Sequence, residues 1–155
     1  MPARSITLAN AVVAAINAWA SKPANVTAAR VRSITHLITD MDNATPGHIA
    51  VIVSSVSDDS DRAEVAEEIT LGIVTIGNVG SEAVASSDAW EDFTEGLRDY
   101  LRTSTTFKNI AVGSLAFHRT TVNTVTAADA EMLDQSEVFV SVTEAAWRVS
   151  IGNRS

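Results

Sequence analysis

Cysteine is absent from the chain. That excludes a disulfide framework, a thiolate metal site and a cysteine nucleophile, and it leaves the redox compartment open. Positive charge is scarce: 11 Lys and Arg against 19 Asp and Glu give 11 − 19 = −8. Non-specific binding to nucleic acid needs Lys and Arg to displace counterions from phosphate, so stable DNA binding is not expected. An acidic surface still suits a protein that DNA must pass without sticking. No apolar run reaches the roughly 18 residues of a membrane span. The longest, Ala9 to Ala20, is interrupted by Asn10 and Asn17. Arg4 precedes it, and Ala18-Trp19-Ala20 before Ser21 looks like a signal-peptidase site. The asparagines and the single preceding side-chain positive charge favour a resident amphipathic helix over a cleaved signal. Without a secretion signal, the sequons at Asn25, Asn43 and Asn153 carry little meaning. Internal repeats and low-complexity segments are missing as well.

What remains is a well-patterned chain. Hydrophobic residues at 46% and charged residues at 19% describe a folded protein, and 155 residues fit one domain, 1–155, with a real core. Leu8, Val12, Ile16 and Trp19 form one apolar stripe on an alanine-rich helix from a Thr7 cap to about Ala20, stopped by Lys22-Pro23. Val26 to Thr39 is β-branched and weakly alternating, a first strand. Asp40 to Gly47 is a connection, His48 to Ser57 a second strand, and Glu64 to Ile76 a third that is apolar on both parities at its far end. A second helix starts near Asp88, with Glu91 three residues on as a capping-box variant. Trp90, Phe93, Leu97 and Leu101 make its stripe, and its early acids and late arginines match the helix dipole. Gly96 inside it suggests the close approach of a neighbouring backbone. Ile110 to Thr121 reads as a fourth strand and Glu137 to Ile151 as a fifth, with a helical turn around Ala127 to Leu133 between them. In the fifth strand Val138, Val140 and Val142 oppose Trp147, Val149 and Ile151 in parity. That implies a bulge or a change of covered face near Glu144-Ala145.

Few residues suggest chemistry. His36, Asp40 and Asp42 have metal-ligand character but no second histidine at ligand spacing, which favours a strand end and polar turn. Asp58, Asp59, Asp61 and Glu64 make an acidic tip between the second and third strands. It is a solvated turn on the plain reading, or a lumen or partner-contact loop that repels phosphate. Gly72, Gly77 and Gly80 lack the following Gly-Lys-Ser/Thr of a phosphate loop and read as strand and loop glycines. No Gly-x-Ser-x-Gly elbow supports a hydrolase triad. His118 and Arg119 read as an exposed or half-buried pair. Arg30 and Arg32 share a strand face, either a solvated edge or one side of an inter-subunit ion pair. Trp90 and Trp147 belong to the core, and Trp19, at a helix end, is the aromatic placed to reach an interface. No metal, cofactor or catalytic residue is expected.

The order of elements, with Ile6 to Val13, Trp90 to Leu101 and Asp134 to Val142 closing on Trp147-Arg148-Val149, resembles the tail-terminator and head-to-tail joining proteins of long-tailed bacteriophages. The likeness covers nearly the whole chain as element order and only loosely as sequence; the threonine-rich stretch Thr120 to Thr126 departs from it. It implies an α+β fold: a mostly antiparallel sheet of about five strands, packed by an N-terminal and a central amphipathic helix, with a C-terminal β-hairpin arm. It further implies a non-enzymatic virion protein made in a bacterial host. Such a protein forms a ring, commonly of six subunits, between the tail-tube protein and the head connector, with a lumen that passes DNA and no membrane contact. A tail-tube or minor capsid protein is the nearest alternative. A small ligand-binding module or enzyme, with an apolar pocket between helix and sheet, is the alternative from another class.

Overall fold

The computed structural model describes residues 2–23, 26–32, 47–78, 83–126, 129 and 138–153. Helix α1 spans Arg4–Asn17 and buries Leu8, Ala9, Val12 and Ile16. It starts a turn earlier than a Thr7 cap would allow: Thr7 N–H donates to the Ala3 carbonyl at 3.0 Å, and Ala3 is the N-cap. The Arg4 guanidinium reaches Glu67 at 2.8 Å and ties this first turn to the sheet. The helix also stops short of Ala20. The Asn17 side chain turns to the backbone of Ala28, and the helix closes with the Ala18 N–H donating to the Ala14 carbonyl at 3.0 Å and the Trp19 N–H to that of Ile16 at 3.1 Å.

Strand β1 (Val26–Arg30) is followed by β2 (Gly47–Asp58) and β3 (Glu64–Asn78), the last two within two residues of their expected limits. The regular part of β1 ends at Arg30; residues 33–39 of the expected strand, with His36, Asp40 and Asp42, lie outside the described residues. Helix α2 (Ala83–Thr103) begins five residues before Asp88, so Asp88 is interior and not a cap. A single-turn helix α3 (Thr105–Lys108) follows, capped by the Ser104 hydroxyl, which accepts the Thr106 N–H at 3.2 Å. The one strand expected over Ile110 to Thr121 is two: β4 (Asn109–Val112) and β5 (Leu115–Thr126). Gly113-Ser114 forms the two-residue turn between them, and Gly113 takes φ +59°, which a primed hairpin turn requires and glycine tolerates. Strand β6 (Val138–Asn153) closes the chain, and the helical turn expected over Ala127 to Leu133 falls on residues that are not described apart from Asp129.

Among the described residues the fold is α+β, with three helices and one mixed six-stranded sheet in the order β1-β2-β3-β6-β5-β4. The β1–β2 pair is parallel and the other pairs are antiparallel. The C-terminal strand is not an arm. β6 pairs with β5 on one side and with β3 from Val138↔Asn78 to Asn153↔Glu64 on the other, placing it in the middle of the sheet. Apolar residues on both of its parities call for cover on both faces of the sheet. Pairing with β3 runs unbroken through Glu144↔Gly72 and Ala145↔Leu71, so the parity switch is a change of covered face and not a bulge. Trp147, Val149 and Ala145 join the helix-side core, whereas Val138 and Val140 join Ala50, Val74 and Ile76 in a second cluster on the opposite side.

The helix-side core is organised by its aromatics. Trp147 is fully buried, and its Nε1–H donates to the Phe107 carbonyl at 2.8 Å. Trp90 lies against two glycines paired across β2 and β3, Gly47 and Gly77. A Cβ on Gly77 would stand 2.1 Å from Trp90 Cε2, and one on Gly47 would stand 2.3 Å from Cη2. Gly96 has a different neighbour from the backbone expected: its nearest contact is the tip of the Trp19 ring, 3.8 Å from a would-be Cβ. The Arg119 guanidinium donates to the Leu101 carbonyl at 2.6 Å, capping the negative end of α2 from below, while His118 stays exposed.

Candidate functional site

The β2–β3 connection carries Asp58, Asp59, Asp61 and Glu64 together, as the sequence suggests, with the three aspartates exposed and Glu64 half-buried. Its shape follows from short side-chain bonds to nearby backbone. Asp58 Oδ1 accepts the Ser60 N–H at 3.0 Å, and Asp61 Oδ1 accepts the N–H groups of Ala63 at 2.8 Å and Glu64 at 2.9 Å. Ser60 Oγ accepts the Ala66 N–H at 3.1 Å, closing the loop onto β3.

The residue that dominates this tip comes from far along the chain. Arg148 of β6 sends Nε to Asp59 at 2.8 Å, Nη1 to Glu64 at 2.5 Å and Nη2 toward Asp61 at 3.7 Å. The Ser150 hydroxyl donates to the other Glu64 oxygen at 2.8 Å. This bond first, and Arg148 second, hold the Glu64 carboxyl below its ordinary pKa, and the acids in turn hold Arg148 above its own. Between residues 58 and 64 the tip has four carboxylates and Arg62, a net of −3; Arg148 brings that to −2. The tip is an ion-paired latch between the hairpin and β6. A separation of nearly ninety residues hides such a partner from any local reading.

The denser exposed negative charge sits on α2. Asp88, Glu91, Asp92, Glu95 and Asp99 are all exposed and fall at i, i+3, i+4, i+7 and i+11, one side of the helix. Among the described residues their one ion-pair partner is Arg102, 3.9 Å from Asp99. Glu91, Asp92 and Glu95, expected at the dipole's positive end, lie beyond it, because α2 starts at Ala83 and its first turn holds no acid.

Of the interface candidates, Trp19 is half-buried in the molecule's own core. It stacks on Tyr100 at 4.9 Å with 9° between planes, and meets Phe93 at 5.8 Å, which joins α1 to α2. Arg30 ends β1 and Arg32 follows it; both are exposed, and neither has an ion pair among the described residues. A groove of about 760 Å³ opens beside the first turn of α1, lined by Pro2, Arg4, Val56, Glu67, Val112 and Leu115.

Among the described residues no group of three His, Asp or Glu is placed to hold a metal ion, and no helix is long and apolar enough to cross a membrane. Gly72 and Gly77 both lie within β3. No model of a known protein family matches this sequence, and no curated protein matches it either.

Proposed function

We propose that this chain is a non-enzymatic structural subunit of a long-tailed bacteriophage, a tail-terminator or neck component. Copies close into a ring, six by the resemblance, that ends the tail, meets the head connector and lets DNA through its lumen. The observation that carries this reading is the placement of α1 and α2 on a mostly antiparallel sheet, in the chain order the resemblance implies. The net charge of −8 suits a lumen that DNA crosses without being held.

Light scattering on a sizing column, with negative-stain microscopy of the largest species, tests it. The expected species is a particle near 6 × 16.4 ≈ 98 kDa, seen as an annulus with a central hole. Long stacked tubes would replace the terminator with a tail-tube protein. A chain that stays monomeric at all concentrations and does not cap purified tails would overturn the reading.

The groove beside α1 favours one second reading, a ligand-binding module, since its volume lies within the range of small-molecule sites. That reading expects a monomer whose melting temperature rises with an apolar ligand, and loss of that rise in Val112→Arg.

A further inference from the structure

The two sides of the sheet are finished differently. At the β1 edge the Asn17 amide acts as a surrogate strand: Nδ2 donates to the Ala28 carbonyl at 3.0 Å and Oδ1 accepts the Ala28 N–H at 2.9 Å. Lys22 Nζ covers the Val26 carbonyl at 2.5 Å. This seal stops at Ala28 and leaves the Arg30–Arg32 corner uncovered among the described residues. On the far side β4 pairs only with Leu115 to His118. Beyond it, Thr120-Thr121-Val122-Asn123-Thr124-Val125-Thr126 has no strand outside it and no side chain sealing its outer edge, among the described residues. That stretch has no charge and no proline, the usual protections of an edge, and Val125 is the most exposed large apolar residue among the described ones, at 56%. Helix α2, with its five exposed carboxylates, packs on β5 and β6, and its last turn meets β5 at Arg119.

Charge is matched in the same sense. Arg4, Arg102 and Arg148 are ion-paired, Arg119 caps α2, and Lys22 seals β1. Of the unpaired exposed cations among the described residues, Arg30 and Arg32 are the two that stand together. By strand parity Arg30 falls on the side of Val26 and Ala28, the helix-bearing side, where α2 also lies. We propose that the acidic face of α2 and the open edge of β5 receive the Arg30–Arg32 corner of a second copy. The contact is head-to-tail, because its two halves occupy opposite edges of one sheet and cannot be satisfied within one molecule. A molecule with net charge −8 repels its copies unless such opposite patches meet. A head-to-tail contact closes into a ring when the rotation allows. This inference rests on the reading of the chain as a self-assembling ring subunit.

The test is a charge swap, read by light scattering across concentration with circular dichroism as the check on folding. Arg30→Glu with Arg32→Glu should weaken association by about tenfold or more, and so should Asp92→Lys with Glu95→Lys. Mixing the two variants should restore only contacts between unlike copies, and the chain with all four changes should recover most of the wild-type association. Variants that assemble like the wild type would overturn this contact and leave the ring reading standing. Loss in the α2 variant alone would overturn it too, assigning that face to a different basic partner. A wild-type chain that never associates, even on purified tails, would remove both.

Discussion

At the scale of single residues, Trp90 and the pair Gly47–Gly77 show how strongly this fold is decided by close approach. Gly77 is the β3 partner of Phe139 as well, and Trp90 stacks over that ring at 6.4 Å with 17° between planes. Gly77→Ala would place a methyl group within the indole, so the ring must move or the strands must part. We expect a cost of about 3 kcal/mol, the upper range for overpacking, and a fall in melting temperature of about 10 °C for a chain of this size. The double variant Gly77→Ala with Trp90→Leu should lose less than the sum of the two single changes, because the clash is shared. Additive losses would show that Trp90 does not sit on Gly77. By pattern Gly77 falls just past the third strand, whereas it lies within β3, and nothing local links positions 47, 77 and 90.

At the scale of elements, the latch around Arg148 connects the β2–β3 tip to the last strand. Arg148→Met should leave global melting unchanged and speed amide exchange at Ser60 to Glu64, since three carboxylates would then lose the guanidinium that bridges them. The pH dependence has a fixed sign. Glu64 is held below its ordinary pKa in the folded chain, so its contribution is complete above the unfolded glutamate pKa of roughly 4.3. It is lost as pH falls through the lower folded value. Faster exchange at the tip below about pH 4, abolished in Ser150→Ala with Arg148→Met, would confirm it; a tip indifferent to both would refute it. Helix stripes were legible at this scale because Leu8, Val12, Ile16 and Leu97, Leu101 repeat with the period of a helix. The β4–β5 turn carried a signal too, Gly113-Ser114 between two β-rich runs. The alternation of apolar residues on either side of it mimics one continuous strand.

At the scale of the whole molecule, protection should follow position in the sheet. β3 and β6 are paired on both edges, whereas β5 beyond His118 lies open on one edge among the described residues. Amides in β3 and β6 should exchange only through global unfolding, and those of β5 beyond His118 that lie on its open edge should exchange fastest within the sheet in the unassembled chain. Uniform rates across these strands would contradict the topology. The sequence by itself determined the α+β class, two amphipathic helices, the limits of β2 and β3 and the placing of Trp90 and Trp147 in the core. Each of these depends on periodicity, turn chemistry or burial of large apolar side chains, which are local properties. Only the tertiary structure decided that β6 is central, that Arg148 ion-pairs the acidic tip, that Trp19 joins two helices, and that Asn17 seals part of one edge while β5 beyond His118 stays open on the other among the described residues. Those depend on pairings between residues far apart in the chain, where many registers satisfy the same pattern and only the packed whole selects one.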